Sequence, residues 1–260
     1  MLNTLNTAAT GMDAQSKQIE TISNNLANAD TTGFKKSRTD FQDLLYQNIK
    51  APGAATSATT VNPTGVQIGA GVKVVGASRD HEGGTLRPTN RKLDVAIEGL
   101  GFLAIQKPNG DIAYTRDGSL RVGPEGKLQN ANGYAVVPEI QIPQNTKDIN
   151  ISFDGRVEVK DDQGGATEIG QIQLTSFAND AGLQAEGGNL YNATPASGAP
   201  IPGTPTDGGL GRLHQGYLEA SNVKPVTEMT DMIRAQRVYE LNSKVISTAD
   251  QMMNSLNSIR

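Results

Sequence analysis

The chain contains no cysteine and no tryptophan, and aromatic residues make up only 4% of its 260 residues. Without cysteine, neither a disulfide framework nor a thiolate metal site can form. The chain also contains 29 glycines. Such a composition is unusual for a compact enzyme and is closer to that of a fibrous or assembling protein of one or two domains.

Strong charge and long apolar runs are missing as well. The formal net charge is −4, with no basic tract, so no nucleic-acid partner is expected. Residues 1–30 lack a basic block followed by an apolar block, and no apolar run is long enough to span a membrane. We therefore expect no direct membrane insertion and, if the protein is exported, a route without a cleaved signal peptide.

Catalytic and ligand-binding motifs are absent too. The sequence contains no Gly-x-Ser-x-Gly motif, and residues 69–71 lack the third glycine of a dinucleotide-binding loop. The two histidines, His81 and His214, have no second ligand at metal spacing. We therefore predict that the protein is not an enzyme and has no catalytic, cofactor-binding or metal-binding residues.

The C-terminal stretch, residues 225–260, has no glycine or proline after Pro225, which predicts one long helix of roughly 50 Å. Large residues recur at seven-residue steps with a second position three residues later, the a/d pattern of a coiled coil. The predicted assembly seam on this helix consists of Met232, Ala235, Tyr239, Asn242, Ile246, Ala249, Met253 and Leu256. A helix of this length needs a partner to cover its apolar stripe.

The N-terminal segment, residues 1–33, repeats the pattern and supplies that partner. Its predicted seam consists of Leu5, Ala8, Met12, Gln15, Ile19, Ile22, Leu26 and Ala29. Each seam has a polar residue, Gln15 or Asn242, and a polar a or d residue often fixes the register of a coiled coil. We expect these two residues to set the register of the helical pair.

The region between the helices divides into two parts. Residues 34–71 are rich in Pro, Gly, Ala, Ser and Thr towards their C-terminal half, which predicts an extended connecting arm. Residues 72–224 contain short apolar runs separated by pairs such as Asn109-Gly110 and Asp154-Gly155, the pattern of a β-rich domain. The predicted fold is α+β, with a coiled-coil-like pair of terminal helices and an inserted sandwich or open barrel.

Three motifs carry a family resemblance. Ala27-Asn28, Thr31 and Gly33-Phe34-Lys35 near the start, residues 94–102 in the middle and residues 216–223 near the end resemble the flagellar rod and hook family. Proteins of this family stack into the axial tube of the bacterial flagellum. The length and the arm are more similar to those of distal rod members than to those of the longer hook members, but proximal rod members share the end motifs.

The resemblance implies a structural subunit that polymerises through its terminal helices into a straight tubular drive shaft. It implies residence in the flagellar basal body, type III export, and contacts with proximal rod proteins, hook-side components and surrounding ring proteins. It also adds Asn28, Gly33 and Phe34 to the expected assembly interface.

Two other readings stay open at this point. A secreted β-rich binding module could use its termini as an intramolecular coiled coil. Attachment of amphipathic ends to a membrane surface is a weaker alternative, because Lys17 is the one basic residue among the first 33.

Overall fold

The computed structural model describes residues 2–50, 64–144, 146–161 and 165–258. The chain divides into two compact units. Unit 1 comprises residues 1–27, 37–78 and 224–260, and unit 2 comprises residues 28–36 and 79–223. The chain therefore passes between the units four times, after residues 27, 36, 78 and 223.

Unit 1 contains two long helices, α1 (Leu2–Ala27) and α2 (Pro225–Ser258). Helix α1 ends six residues before the predicted boundary at 33, because the chain turns after it: the Thr31 amide donates to the Asn28 carbonyl. Pro225 occupies the first position of α2, where its missing N–H leaves no hydrogen bond unmade. Among the described residues, no helix combines the length and the apolar character that crossing a membrane requires.

Unit 1 also contains four strands: β1 (Ser37–Asp43), β2 (Tyr46–Lys50), β3 (Val66–Gly69) and β4 (Val72–Arg79). Strand β1 pairs with β4, and β2 pairs antiparallel with β3. The predicted arm at 34–71 therefore contains three strands, and its stretch at 51–63 lies outside the described residues. The predicted domain boundary at 72 differs from the observed one, because pairing with β1 places residues 72–78 in unit 1.

Unit 2 is built from short strands and one short 3-10 helix, Asp180–Gly182. Its strands are β5 (Leu86–Pro88), β6 (Val95–Glu98), β7 (Phe102–Gln106), β8 (Ile112–Thr115), β9 (Arg121–Val122), β10 (Leu128–Gln129), β11 (Ala135–Val137), β12 (Thr146–Ile151), β13 (Arg156–Asp161), β14 (Ala166–Gln171), β15 (Leu174–Ser176), β16 (Gln184–Gly187), β17 (Leu190–Asn192), β18 (Ile201–Gly203), β19 (Arg212–Gln215) and β20 (Tyr217–Glu219).

The strands of unit 2 form one large sheet and several small ones. The large sheet has the order β16-β17-β8-β7-β11-β10-β9, with β15 pairing with β7 and β18. Strands β12-β13-β14 form a three-stranded sheet, and β19-β6 and β20-β5 form two-stranded ones. The Asn109-Gly110 pair lies in the turn from β7 to β8, and Asp154-Gly155 lies in the turn from β12 to β13, as the sequence predicted.

The core of unit 2 consists of two buried clusters. The first is aliphatic and includes Val95, Ile97, Leu103, Ile105, Ala113, Leu120, Leu128, Val136, Ile140, Val157, Val159, Ile172, Leu174 and Leu213. The second contains Phe102, Tyr114, Phe177 and Tyr191, whose rings meet edge to face. Two terminal helices flanking a β-rich region confirm the predicted composition of the fold. Closure into a sandwich or barrel stays a prediction.

Candidate assembly interface

Helices α1 and α2 pack against each other through small side chains. Ala8 and Ala14 of α1 and Ala235 and Ala249 of α2 are buried. At the centre of the contact, a methyl group added to Gly11 would lie 3.0 Å from Asn242 Nδ2. Asn242, the polar seam residue of α2, therefore packs against Gly11 of α1, in space that a larger side chain at residue 11 would fill.

The predicted seam residues are only partly covered within one chain. Ile22, Ala235 and Ala249 are buried, whereas Tyr239 and Met253 are exposed. The half-buried members are Leu5, Met12, Gln15, Ile19, Leu26, Ala29, Met232, Asn242 and Ile246, of which Ala29 lies beyond the end of α1. The side chain of Leu256 lies outside the described residues.

A second row of apolar residues on α2 is left uncovered. The exposed fractions are 63% for Leu241, 43% for Val245 and 52% for Met252. Together with Thr248 they line an open groove of about 400 Å³ beside Thr4 of α1. We call Leu241, Val245, Thr248 and Met252 the apolar face of α2.

A second groove lies at another part of the helical pair. Its volume is about 600 Å³, and Tyr239 of α2 lines it together with Ile19 and Glu20 of α1. The side chain of Tyr239 is 42% exposed there. The helical pair therefore presents two concave surfaces that a single chain leaves open.

Exposed hydrophobic residues are concentrated in unit 1. The strands β1 to β4 and the β1–β2 connection add Phe41, Leu45, Tyr46, Ile49, Val66, Ile68 and Val75. Among the described residues, the exposed large hydrophobics of unit 2 are Leu100, Ile112, Val122, Phe153, Ile201 and Tyr217. Unit 2 buries most of its large apolar side chains, and unit 1 does not.

Asn25 joins three elements of unit 1 near the end of α1. Its side chain donates to the Ser37 carbonyl at 2.9 Å and accepts from the Ser37 amide at 2.9 Å, which fixes the start of β1. The same Nδ2 donates to Glu228 Oε2 at 3.2 Å, in the first turn of α2. No local pattern in the sequence indicates this role of Asn25, because its partners lie 12 and 203 residues away along the chain.

Asn25→Ala is expected to destabilise unit 1 by about 2–3 kcal/mol, because a buried amide loses three hydrogen bonds and leaves Ser37 unpaired. Amide exchange at Ser37 and helix melting followed by circular dichroism would measure the effect. Ser23→Ala, at an exposed position of the same helix, is the matched control. Equal stability of the two variants would contradict the assigned role.

Unit 2 contains a buried ion cluster formed by Lys35, Arg116 and Glu219. Lys35 Nζ lies 2.6 Å from Glu219 Oε1, and Arg116 Nη1 lies 3.3 Å from Glu219 Oε2. The side chains of Lys35 and Glu219 are fully buried, and that of Arg116 is 1% exposed. Burial lowers the pKa of Lys35 from its ordinary value.

Two motif residues expected at the assembly interface pack beside this cluster. Gly33 has φ +66°, and a methyl group there would lie 2.8 Å from the Arg116 carbonyl carbon. Only glycine fits this backbone and this space without strain. Phe34 is also buried, and Asn28 is half-buried. The surfaces of Gly33 and Phe34 are covered within the chain, and their interface role stays a prediction.

His81 lies close to the ion cluster. Its ring meets those of Phe102 and Tyr191 edge to face, each at 5.5 Å between centroids. Neither ring nitrogen has a hydrogen-bond partner among the described residues. Burial, together with the nearby charges of Lys35, Arg116 and Arg79, lowers the pKa of His81 to about 4. The imidazole is therefore neutral at pH 7.

The part of the chain that the structure describes contains no group of three His, Asp or Glu residues placed to hold a metal ion.

Three family models match separate parts of the chain. The model described as "Flagella basal body rod protein" matches residues 5–35. The FlgE/F/G D1 domain of flagellar hook proteins matches residues 96–159, and the C-terminal model of basal-body rod FlgEFG proteins matches residues 214–259. The matched segments cover α1, much of unit 2 and α2.

Relatives align with the chain from end to end. The flagellar basal-body rod protein FlgG of Caulobacter vibrioides is 49% identical over 261 residues and covers 100% of both chains. FlgG of Borreliella burgdorferi is 46% identical, covering 100% of this chain and 99% of its own. FlgG of Bacillus subtilis is 38% identical, covering 100% of both. A solved flagellar hook protein, FlgE2 of Helicobacter pylori, is 15% identical, with a TM-score of 0.26 over 71% of this chain and 43% of its own.

Proposed function

The chain belongs to the flagellar rod and hook protein family, and from this premise we propose that it is a distal rod subunit, polymerising through its terminal helices into a straight torque-transmitting tube. The family assignment confirms the resemblance of the three sequence motifs. The chain is therefore a structural protein of the flagellar basal-body rod family. Placement in the distal rod is supported by full-length similarity to FlgG proteins.

The exposed apolar face of α2 is the observation that carries the assembly proposal. Leu241, Val245 and Met252 lie in one groove of a helical pair, and about half of each side chain is open to water. Fully burying one such side chain stabilises a structure by about 1.5–3 kcal/mol. Apolar patches of this kind on a structural protein mark contact surfaces, and a second copy of the same chain is the proposed occupant.

The pairing of α1 with α2 supports a coiled-coil-like inner layer. Within one chain the small residues at Gly11, Ala235 and Ala249 already bring the two helices together. In the proposed tube, the helices of neighbouring subunits cover the remaining stripes, and Gln15 and Asn242 fix the register. The predicted seam residues thus divide between an intramolecular contact and a contact between subunits.

The further partners follow from the proposed position. At this position the subunit would contact proximal rod proteins on one side, hook-side components on the other and ring proteins around the tube. It would be exported through the type III apparatus without a cleaved signal peptide. The activity is mechanical rather than catalytic. A proximal rod position is the second candidate within the family, since its members share the end motifs.

An intramolecular terminal coiled coil in a β-rich binding module is the other candidate. The α1–α2 contact within the single chain favours it, whereas the uncovered apolar face of α2 does not. The two functions differ in whether the helices form contacts between copies.

Negative-stain electron microscopy of the purified chain at rising concentration tests the proposal, beside a shortened chain lacking residues 1–27 and 224–260. We expect straight tubes from the full-length protein and none from the shortened one. Preformed rod fragments are added in a parallel series, to serve as a template. A full-length protein that stays monomeric in both series would reject homopolymerisation and favour the binding module.

A further inference from the structure

Unit 2 brings together the four places, here called exits, where the chain enters or leaves it. The passages follow residues 27, 36, 78 and 223. Within unit 2, residues close to each passage are hydrogen-bonded to residues close to another. All of the bonds described below are internal to unit 2.

The first set of bonds is a ring formed by Lys36, Asp80 and Asn222. The Lys36 amide donates to Asn222 Oδ1 at 2.8 Å, and the Asp80 amide donates to the Lys36 carbonyl at 3.0 Å. Asn222 Nδ2 closes the ring by donating to the Asp80 carbonyl at 2.8 Å. Lys36 Nζ also lies 3.2 Å from Asp80 Oδ2. This ring joins three of the four passages.

The second set is centred on Glu219 and adds the fourth passage. The Gly33 amide donates to the Glu219 carbonyl at 2.8 Å, which holds the segment that follows α1. Glu219 Oε1 accepts from Lys35 Nζ at 2.6 Å and from the Gly84 amide at 2.9 Å. Lys35 Nζ donates in addition to the Glu82 carbonyl at 2.6 Å. Three segments distant in sequence therefore meet at one carboxylate.

Burial makes the ion pairs of this cluster costly to break. Glu219 is 1% exposed and forms ion pairs with two buried basic side chains, Lys35 and Arg116. Removing one partner of a buried ion pair leaves an uncompensated charge, which is far more costly than breaking a surface pair. The backbone segments are also tightly packed, since a methyl group added to Gly84 would collide with the Ala220 carbonyl oxygen. The segments have little freedom to separate.

We propose that the Lys36–Asp80–Asn222 ring and the Lys35–Glu219–Arg116 cluster form a clamp that holds the four exits of unit 2 at fixed separations. Every bond of the clamp lies inside unit 2. The clamp is therefore present in the unassembled subunit, whether or not the helices and strands of unit 1 are ordered. It presents the helices and the β-strand arm from a preset frame, so that assembly does not have to order their attachment points. This role goes beyond the proposed polymerisation.

The test measures exit separation directly in the full-length chain. Because the protein has no cysteine, an Asp30→Cys/Glu82→Cys pair accepts two spin labels, one near the first exit and one near the third. We expect a narrow distance distribution in dilute monomer. Adding Glu219→Gln is expected to broaden it and to accelerate amide exchange at Gly33 roughly 100-fold, while Glu186→Gln, which removes a surface pair with Lys107, changes neither.

A second, milder variant keeps the test decisive if Glu219→Gln also unfolds the core, as lost protection at Ile105 and Val136 would reveal. Asn222→Ala removes the two ring bonds that the Asn222 side chain makes, keeps the bond from the Asp80 amide to the Lys36 carbonyl, and leaves no buried charge. It is expected to accelerate exchange at Lys36 about 10-fold and to broaden the distance distribution, with core protection retained. An unchanged distribution in Asn222→Ala, or in a folded Glu219→Gln, would overturn the clamp. Neither result depends on whether tubes form, so failure of the clamp is distinguishable from failure of the proposed function.

Discussion

Replacing Val245 with aspartate is expected to abolish assembly of the full-length chain while both units of the single chain stay folded. Val245 is 43% exposed on the apolar face of α2, so a carboxylate there remains hydrated in the monomer. In a tube the same carboxylate would be removed from water against a neighbouring copy, in a groove that Lys244 also lines, at a cost of several kcal/mol per contact. Because each subunit repeats the contact, sedimentation and electron microscopy should detect no tubes.

Ser243→Asp is the matched control for this prediction. It adds the same charge two residues away, at an exposed position that does not line the groove. Tubes should form normally in this variant. Ile246→Asp is less informative, because Ile246 is half-buried and the change would also disturb the pairing of α1 with α2. If Val245→Asp still forms tubes, the apolar face of α2 is not part of the interface between subunits.

Unit 2 is expected to lose stability as the pH falls from 6.5 towards 4, and His81→Phe is expected to abolish most of this loss. The pKa of His81 is lowered from 6.5 to about 4, so the folded state binds its proton less readily than the unfolded state. The free energy of unfolding of unit 2 therefore keeps the full contribution of neutral His81 above pH 6.5 and loses it as the pH falls from 6.5 to about 4. The depressed pKa corresponds to about 3 kcal/mol of free energy of unfolding.

Burial is the main cause of the lowered pKa of His81, and most of the nearby charges act in the same direction. Lys35, Arg116 and Arg79 disfavour the imidazolium, whereas Asp80 favours it. Phenylalanine cannot gain a proton and resembles the aromatic rings that contact His81. Urea unfolding of unit 2 at intervals from pH 7 to 4.5 would measure the slope for His81→Phe and for the unsubstituted protein. Parallel slopes for His81→Phe and the unsubstituted protein would contradict the burial argument.

The apolar periodicity predicted the two terminal helices, but not the contact between them or the strands that follow α1. The seven-residue spacing identified α1 and α2 because an a/d pattern depends only on local sequence. The contact between Gly11 and Asn242 was missed, because a glycine carries no apolar signal and its close packing appears only when both helices are in place. The strands at 37–50 were assigned to an arm, since their side chains are largely exposed and show no alternation of burial.

The ion cluster could not be predicted for a related reason. Lys35 and Glu219 belong to the two end motifs, but 184 residues separate them, and nothing in a local pattern shows that two such positions meet. Arg116 lies in the middle region with no distinctive neighbours. Pairing of this kind is a property of the tertiary fold. The turn pairs, by contrast, were correct because their backbone geometry is encoded within two residues.

The placement of both terminal helices in unit 1 has a practical consequence for labelled proteins. Helices α1 and α2 form the proposed interface, so an affinity or fluorescent sequence attached next to either helix would lie close to that interface. The turn from β7 to β8 offers a better position, because Gly110 has φ +90° and no atom within 4 Å of an added methyl group. A reporter inserted after Gly110 should be displayed at the surface of unit 2 and adds no residues to either terminal helix.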